Sequence, residues 1–188
     1  MDKQFWVTIR ENKYTFPEGQ DLTALTDELF SYIPSTDPDL RDGIAYEIFA
    51  NWIETEPYQA DHLRGYLTRL LENLQVGLGE TDSDSVFGRA FSVLFLAEVI
   101  HRDNQQPYLD PHEVTETLER VLAYLTAERD PRGYVPVKGW AHALAHTADL
   151  LRWLAKNKHL EESNLSKILN TISEKIIHST NYIYIHGE

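Results

Sequence analysis

The sequence contains no cysteine among its 188 residues. Disulfide bonds, cysteine nucleophiles and cysteine-ligated zinc are therefore excluded, and any metal would have to be bound by histidine and carboxylate side chains. Basic residues are also scarce, since 17 lysines and arginines stand against 30 aspartates and glutamates, which gives a formal net charge of -13. Because nucleic acids and membrane surfaces are themselves anionic, this balance argues against both as partners.

Long hydrophobic runs are missing as well. The longest apolar stretch, residues 93 to 100, is interrupted by Glu98 and is far shorter than a membrane span requires. The N-terminus lacks the cationic start and following apolar stretch of a signal peptide. We therefore expect a cytoplasmic protein with a single domain over residues 1 to 188, and its hydrophobic fraction of 42% is ordinary for such a protein.

Patterns typical of helices fill most of the chain. Asp37 and Asp110 each precede a proline, which predicts an N-cap residue followed by a first-turn proline at two helix starts. Elsewhere, apolar side chains recur at helical spacing. The predicted helices cover about residues 5–9, 16–32, 37–53, 63–74, 86–100, 110–125, 137–153 and 165–176. The sequence therefore predicts an all-α fold.

The predicted helices follow one another through short connections, which favours antiparallel hairpins. The hairpin starts, near residues 37, 84 and 137, are about 47 and 53 residues apart, close to the period of HEAT and armadillo repeats. We therefore predict stacked hairpins that form a HEAT- or armadillo-like αα superhelix, with a compact helical bundle as the alternative. In this arrangement we expect deep burial of four side chains in two helices that are apolar on several faces: Phe91, Leu94, Leu144 and Ala145. The last helix should bury Leu165, Ile168, Leu169, Ile172 and Ile176.

Three segments carry a resemblance to a known family. They are LRDGIAYEIFANWI at residues 40–53, VFGRAFSVLFLAEVIHRD at residues 86–103 and RGYVPVKGWAHALAHTAD at residues 132–149. Together with ENKYTFPEG at residues 11–19, they resemble the bacterial family called domain of unknown function 2785. The resemblance implies an all-helical, superhelical, cytoplasmic protein and no particular activity. Because relatives continue beyond residue 188, it also implies that a C-terminal portion present in them is missing here.

The most informative segment is the predicted helix that begins near Val137. It is apolar on almost all sides except for a stripe of Lys138, His142, His146 and Asp149, which fall within an arc of about 80°. His142 and His146 have the spacing that lets two imidazoles reach one ion, and Asp149 would complete a set suited to Zn²⁺, Mn²⁺ or Fe²⁺. The simpler interpretation, which we favour, is that the two histidines form hydrogen bonds between packed helices. A third interpretation is a role in binding or catalysis without a metal.

Four cations form a second candidate set, because each lies near a predicted helix start: Arg41, Arg89, Arg132 and Lys138. If the hairpins stack in register, these cations and the neighbouring Asp42 would converge with the histidines and suit a phosphate or carboxylate ligand. Ion pairing within the protein is the simpler interpretation and the one we favour. It would join Arg41 to Asp37, and Arg89 to Asp42 or Asp149.

Aromatic side chains next to these polar residues suggest a binding surface. Tyr134, Trp140 and Trp153 are candidates to line it, although aromatic residues of this kind more often belong to the edge of a core. His101 could supply a further imidazole. We therefore expect a binding or scaffolding module with a polar site around residues 130–149, which takes a protein or a small anionic ligand. The alternative is a metal-dependent hydrolase that uses the three predicted metal ligands.

Overall fold

The chain is helical over most of its length. The computed structural model describes residues 1–177, and helices hold 66% of them. The helices are α1 (Lys3–Glu11), α2 (Leu22–Ser31), a π-helical segment (Asp39–Tyr46) that continues into α3 (Glu47–Thr55), α4 (Ala60–Asn73), α5 (Ser85–Gln105), α6 (Pro111–Ala127), α7 (Ala143–Leu154) and α8 (Glu162–Ile177). Within the described residues the only sheet consists of two short antiparallel strands, β1 (Tyr134–Val135) and β2 (Gly139–Trp140). The all-α prediction is confirmed.

Both predicted cap residues act as caps. The side chain of Asp37 accepts hydrogen bonds from the backbone N–H groups of Asp39 and Leu40, at 3.0 and 3.4 Å. Asp110 forms a reciprocal capping box with Glu113, in which each side chain accepts the other residue's backbone N–H. These contacts satisfy N–H groups that the first turn of a helix leaves without partners.

Helix α5 lies at the centre of the core and packs against α3, α4 and α7. The rings of Phe49 in α3 and Phe95 in α5 stack with their centroids 4.8 Å apart. Between α5 and α7, Phe91 contacts His146 and His101 contacts Trp153. Because later residues of α5 meet later residues of α7, these two central helices run in the same direction.

Helix α6 returns antiparallel to α5, since Glu128, directly after α6, reaches Arg89 near the start of α5. Backbone contacts within the predicted hairpins α3–α4, α5–α6 and α7–α8 are sparser than those between α5 and α7 or between α4 and α5. The stacked-hairpin arrangement of HEAT or armadillo type therefore stays a prediction, and so does the assignment of residues 1–188 to one domain.

The predicted helix start at Val137 is wrong, because α7 begins at Ala143. Val137, Gly139 and His142 all have positive φ angles, of 71°, 81° and 53°, which interrupt a right-handed helix. The backbone N–H of Lys138 instead donates to the carbonyl of Val135 and closes a turn between β1 and β2. Lys138 therefore lies in a hairpin and does not share a helix face with the histidines.

Two predictions about burial are also wrong. In α8 only Ile168 of the predicted apolar face is buried, whereas the side chains of Leu165, Leu169 and Ile176 are 36%, 68% and 57% exposed. In α7 the side chains of Leu144 and Ala145 are half-buried rather than deep in the core. Phe91 and Leu94 are buried as predicted.

A second helix start also differs from the prediction. The helix predicted from residue 16 begins only at Leu22.

Candidate functional site

The two histidines of the predicted stripe lie at the start of α7 in an aromatic environment. His142 is the N-cap residue and His146 is in the first turn, with their ring centroids 5.7 Å apart. Trp140 lies 4.2 Å from His142, and Phe91 lies 5.2 Å from His146. The rings of Trp140, His142, His146 and Phe91 therefore contact one another in sequence, from the β-hairpin to the core.

His146 is neutral over the physiological pH range. Burial, together with the neighbouring His142 and Arg41, lowers its pKa to about 3. Although the residue is only half-buried as a whole, its Nε2 atom is buried and has no hydrogen-bond partner. This observation does not match the interpretation in which His146 forms hydrogen bonds between packed helices.

The structure does not bring the three predicted metal ligands together. His142 and His146 are neighbours, but Asp149 lies on the exposed side of α7. The donor atoms of these three residues do not all lie within 4.8 Å of one another, as those of a common metal site would.

Arg41 fastens the β-hairpin to the π-helical segment. Its side chain is fully buried, and its guanidinium carbon lies 4.4 and 4.5 Å from the ring centroids of Phe87 and Phe91. Nη2 donates to the backbone carbonyl of Lys138 at 3.0 Å, and Nε lies 2.7 Å from Oδ1 of Asp42. Asp42, rather than the predicted Asp37, is therefore the ion-pair partner. Burial raises the pKa of Asp42, and the charge of Arg41 opposes that rise.

Arg89 is buried in an ion pair with a residue that the sequence did not suggest. Its Nε and Nη2 atoms donate to the two carboxylate oxygens of Glu128, at 2.6 and 3.0 Å. The side chains of both residues are at most 1% exposed. Arg89 therefore forms an ion pair within the protein, which is the interpretation we favoured over ligand binding. Its partner is neither of the two predicted residues, Asp42 and Asp149.

The other two predicted cations also have partners within the protein. Arg132 contacts the buried carboxylate of Asp130 at 2.6 Å, and the ammonium of Lys138 lies 2.6 Å from Asp84. An anionic ligand bound by the four predicted cations would have to replace existing contacts of each one.

The β-hairpin exposes three apolar side chains to solvent. Tyr134 is 59% exposed, Val137 90% and Trp140 44%. The rings of Tyr134 and Trp140 meet edge to face, with centroids 5.2 Å apart. Of the residues predicted to bind a ligand, these two aromatics are the ones that the structure places at an accessible surface.

A second group of polar side chains lies between α3 and α5, and no spacing in the sequence predicts it. Glu54, Glu98 and His101 each offer one atom that could bind a metal, and these atoms all lie within 4.8 Å of one another. The hydroxyl of Tyr46 donates to Oε1 of Glu98 at 2.8 Å. Glu98 was visible in the sequence as the charge that interrupts an apolar run, but nothing in the sequence connected it with Glu54.

This group, which we call the Glu–Glu–His cluster, carries unbalanced charge. Burial raises the pKa of Glu98; the hydrogen bond from Tyr46 and the charge of His101 lower it, while the charges of Glu54 and Asp149 raise it. His101 Nδ1 lies 3.4 Å from Oε1 of Glu54, and that oxygen is buried without a hydrogen-bond partner.

Comparison with known proteins places this chain in a family. Residues 74–188, more than half of the chain, match the model of the family described as "Protein of unknown function (DUF2785)". The chain belongs to this family. The match includes the motifs at residues 86–103 and 132–149 that carried the resemblance in the sequence. The resemblance at residues 11–19 and 40–53 lies outside it and stays a prediction. No curated protein and no solved structure matches the chain.

The family match covers the β-hairpin and part of the Glu–Glu–His cluster. Glu98, His101 and the residues of the hairpin lie inside the matched range, whereas Glu54 and Tyr46 precede it.

Within residues 1–177, no helix is long and apolar enough to cross a membrane.

Proposed function

We propose that this protein is a binding module whose β-hairpin docks a basic segment of a partner protein. The observation that carries the proposal is the exposure of Tyr134, Val137 and Trp140 on one hairpin that is itself anchored to the rest of the protein. Clustered exposed apolar side chains are typical of interaction sites, and tyrosine and tryptophan are enriched among the residues that contribute most to binding.

The hairpin is anchored at several points, which supports its use as a preformed binding surface. Arg41 donates hydrogen bonds to the backbone carbonyls of Lys138 and Trp140, at 3.0 and 3.4 Å. Gly139 packs so closely that a Cβ atom there would lie 2.9 Å from the Cβ of Pro38. A surface that is already ordered loses little conformational entropy when a ligand binds.

The charges around the hairpin favour a basic partner over the small anionic ligand considered above. Asp82 is 87% exposed and lies 3.9 Å from Arg132, and Asp84 pairs with Lys138. A basic segment could form ion pairs with these carboxylates, in exchange for or in addition to Arg132 and Lys138, and cation–π contacts with the exposed rings of the hairpin. The net charge of -13 would add long-range attraction for such a segment.

Fluorescence anisotropy with labelled peptides tests this proposal. Peptides rich in lysine and leucine should bind the wild-type protein, and the same peptides with glutamate in place of lysine should not. Tyr134→Ala and Trp140→Ala should each weaken binding by about thirtyfold or more, because residues of this kind contribute about 2 kcal/mol or more where they anchor an interface.

The matched control is Val76→Ala, which shortens an apolar side chain that is 64% exposed elsewhere on the surface. It should leave peptide binding unchanged. Equal affinity for lysine and glutamate peptides, or equal affinity of the wild type and both aromatic variants, would contradict the proposal.

The alternative function, a metal-dependent hydrolase based on His142, His146 and Asp149, is not proposed here, because the donor atoms of these three residues do not lie close together.

A further inference from the structure

We propose that Glu54, Glu98 and His101 bind one divalent transition-metal ion, of the Zn²⁺ or Mn²⁺ class. One donor atom from each side chain already lies within 4.8 Å of the other two. Metal–ligand bonds of about 2.0–2.2 Å place the ligands of a single ion roughly 3–4 Å apart, so small side-chain rotations would close this set around an ion. The site is separate from the peptide surface proposed for the β-hairpin.

The three ligands are carried by two helices that pack against each other. Glu98 and His101 lie one turn apart on α5, so they project from the same face of that helix. Glu54 comes from the last turn of α3, which packs beside α5 through the stacked rings of Phe49 and Phe95. Sites built on packed helices hold their ligands in place better than sites built on loops.

Among residues 1–177, no lysine or arginine forms an ion pair with Glu54 or Glu98, so His101 is the basic side chain in contact with this cluster. The nearby Arg102 donates to the backbone carbonyl of Glu54 at 3.4 Å and not to its carboxylate. Buried carboxylate oxygens without partners are costly, and Oε1 of Glu54 is one of them. A bound cation would remove that cost and the repulsion between the two carboxylates.

The ring of His101 is held beside Glu54. It stacks on Trp153, with centroids 3.8 Å apart and an angle of 16° between the planes. Its Nε2 atom lies 3.0 Å from the side-chain amide nitrogen of Gln105, and its Nδ1 atom lies 3.4 Å from Oε1 of Glu54. In this arrangement the amide donates to Nε2, so metal binding through Nδ1 requires the amide to rotate by 180°, after which its oxygen accepts from an Nε2–H group and the lone pair of Nδ1 faces the metal. Outer hydrogen bonds of this kind fix the orientation of metal-binding histidines.

The types of ligand decide the class of metal. One imidazole nitrogen and two carboxylate oxygens suit Zn²⁺, Mn²⁺ and related ions, whereas Mg²⁺ and Ca²⁺ prefer oxygen ligands alone. The hydroxyl of Tyr46 holds the carboxylate of Glu98 in place. Water would complete the coordination of the ion.

The test uses the full chain without a histidine tag, freed of metal with a chelator. Titration with Zn²⁺ by calorimetry, and with Co²⁺ by its visible absorption, should show one ion per chain. Glu54→Gln, Glu98→Gln and His101→Gln should each weaken binding by at least about tenfold, since even changes around metal ligands weaken binding 10–100-fold. His112→Gln changes a histidine whose side chain is 86% exposed and should bind as the wild type does.

Two results would overturn the proposal, and two controls accompany them. If His142→Gln abolishes binding while the three cluster variants bind normally, or if Co²⁺ does not saturate the wild type, the proposal is wrong. Circular dichroism in EDTA shows whether each variant folds. If the two α5 variants do not fold, Glu54→Gln decides the test, because Oε1 of Glu54 has no hydrogen-bond partner to lose. Trp140→Ala should retain the metal, which separates this site from the peptide-binding surface.

Discussion

Replacing Glu128 with leucine tests the most deeply buried ion pair in the structure. The guanidinium of Arg89 would remain charged, with its side chain fully buried and its two strongest hydrogen bonds removed. Three other acceptors would stay in contact with its Nη1 atom, at 2.8–3.0 Å: the carbonyls of Val76 and Gly77 and the hydroxyl of Ser85.

Removing one partner of a buried pair typically costs about 3–5 kcal/mol, because an uncompensated charge stays in the protein interior. Because Arg89 keeps its other hydrogen-bond acceptors, we expect Glu128→Leu to lower the free energy of unfolding by about 3 kcal/mol, the lower end of that range. The carboxylate of Glu128 also accepts the backbone N–H groups of Arg129 and Asp130, and both would lose a partner. That additional loss should amount to about 1 kcal/mol or more.

Urea denaturation followed by circular dichroism measures the free energy of unfolding of each variant. The double variant Arg89→Met/Glu128→Leu should be clearly more stable than the sum of the two single losses predicts, because it removes both charges together. Arg69→Met is the control, since its pair with Asp27 is 42% and 54% exposed and should contribute less than about 1 kcal/mol. A loss below about 1 kcal/mol for Glu128→Leu would refute the reasoning.

Other substitutions test the packing and the response to pH. Leu94→Ala should lower the free energy of unfolding by about 2–5 kcal/mol, and a loss below about 1 kcal/mol would show that this side chain is not part of the core. Gly139→Ala should lower the melting temperature and the affinity for basic peptides together, because a Cβ atom would meet the neighbouring proline and the φ angle is +81°; Gly65→Ala, with nothing within 4 Å, should do neither. The pKa of His146 falls from 6.5 to about 3 on folding, so the unfolded chain binds more protons between these values and stability is lost as the pH falls through 6.5. His146→Phe should therefore lose less stability than the wild type from about pH 7 to about pH 5, and identical slopes would contradict the burial of this ring.

Local signals were sufficient for most helices. The caps at Asp37 and Asp110 and the apolar character of α5 depend on residues within one or two turns of one another, so they can be seen in the sequence. The error at Val137 has a local cause as well. The turn signals Gly133, Pro136 and Gly139 were present, but the apolar pattern that follows them was extended too far towards the N-terminus.

The partners of charged side chains could not be predicted in the same way. Arg89 pairs with Glu128, which is 39 residues away, and the choice depends on how α6 returns along α5. The same holds for Arg41, whose contact with the carbonyl of Lys138 spans 97 residues. Spacing along a chain identifies neighbours on one helix, whereas contacts between helices depend on packing directions that the sequence pattern does not contain.

The sequence by itself determined the all-α class, the helix starts at the two caps, the central burial of α5 and the family of the chain. Only the tertiary structure decided which functional groups meet. In the folded chain Glu54 lies beside Glu98 and His101, whereas Asp149 does not join the two histidines in a common group of donor atoms. The physical reason is that helix formation is controlled by local hydrogen bonds and apolar periodicity, whereas a binding site requires side chains from separate helices whose relative positions are set by the packing of the whole core.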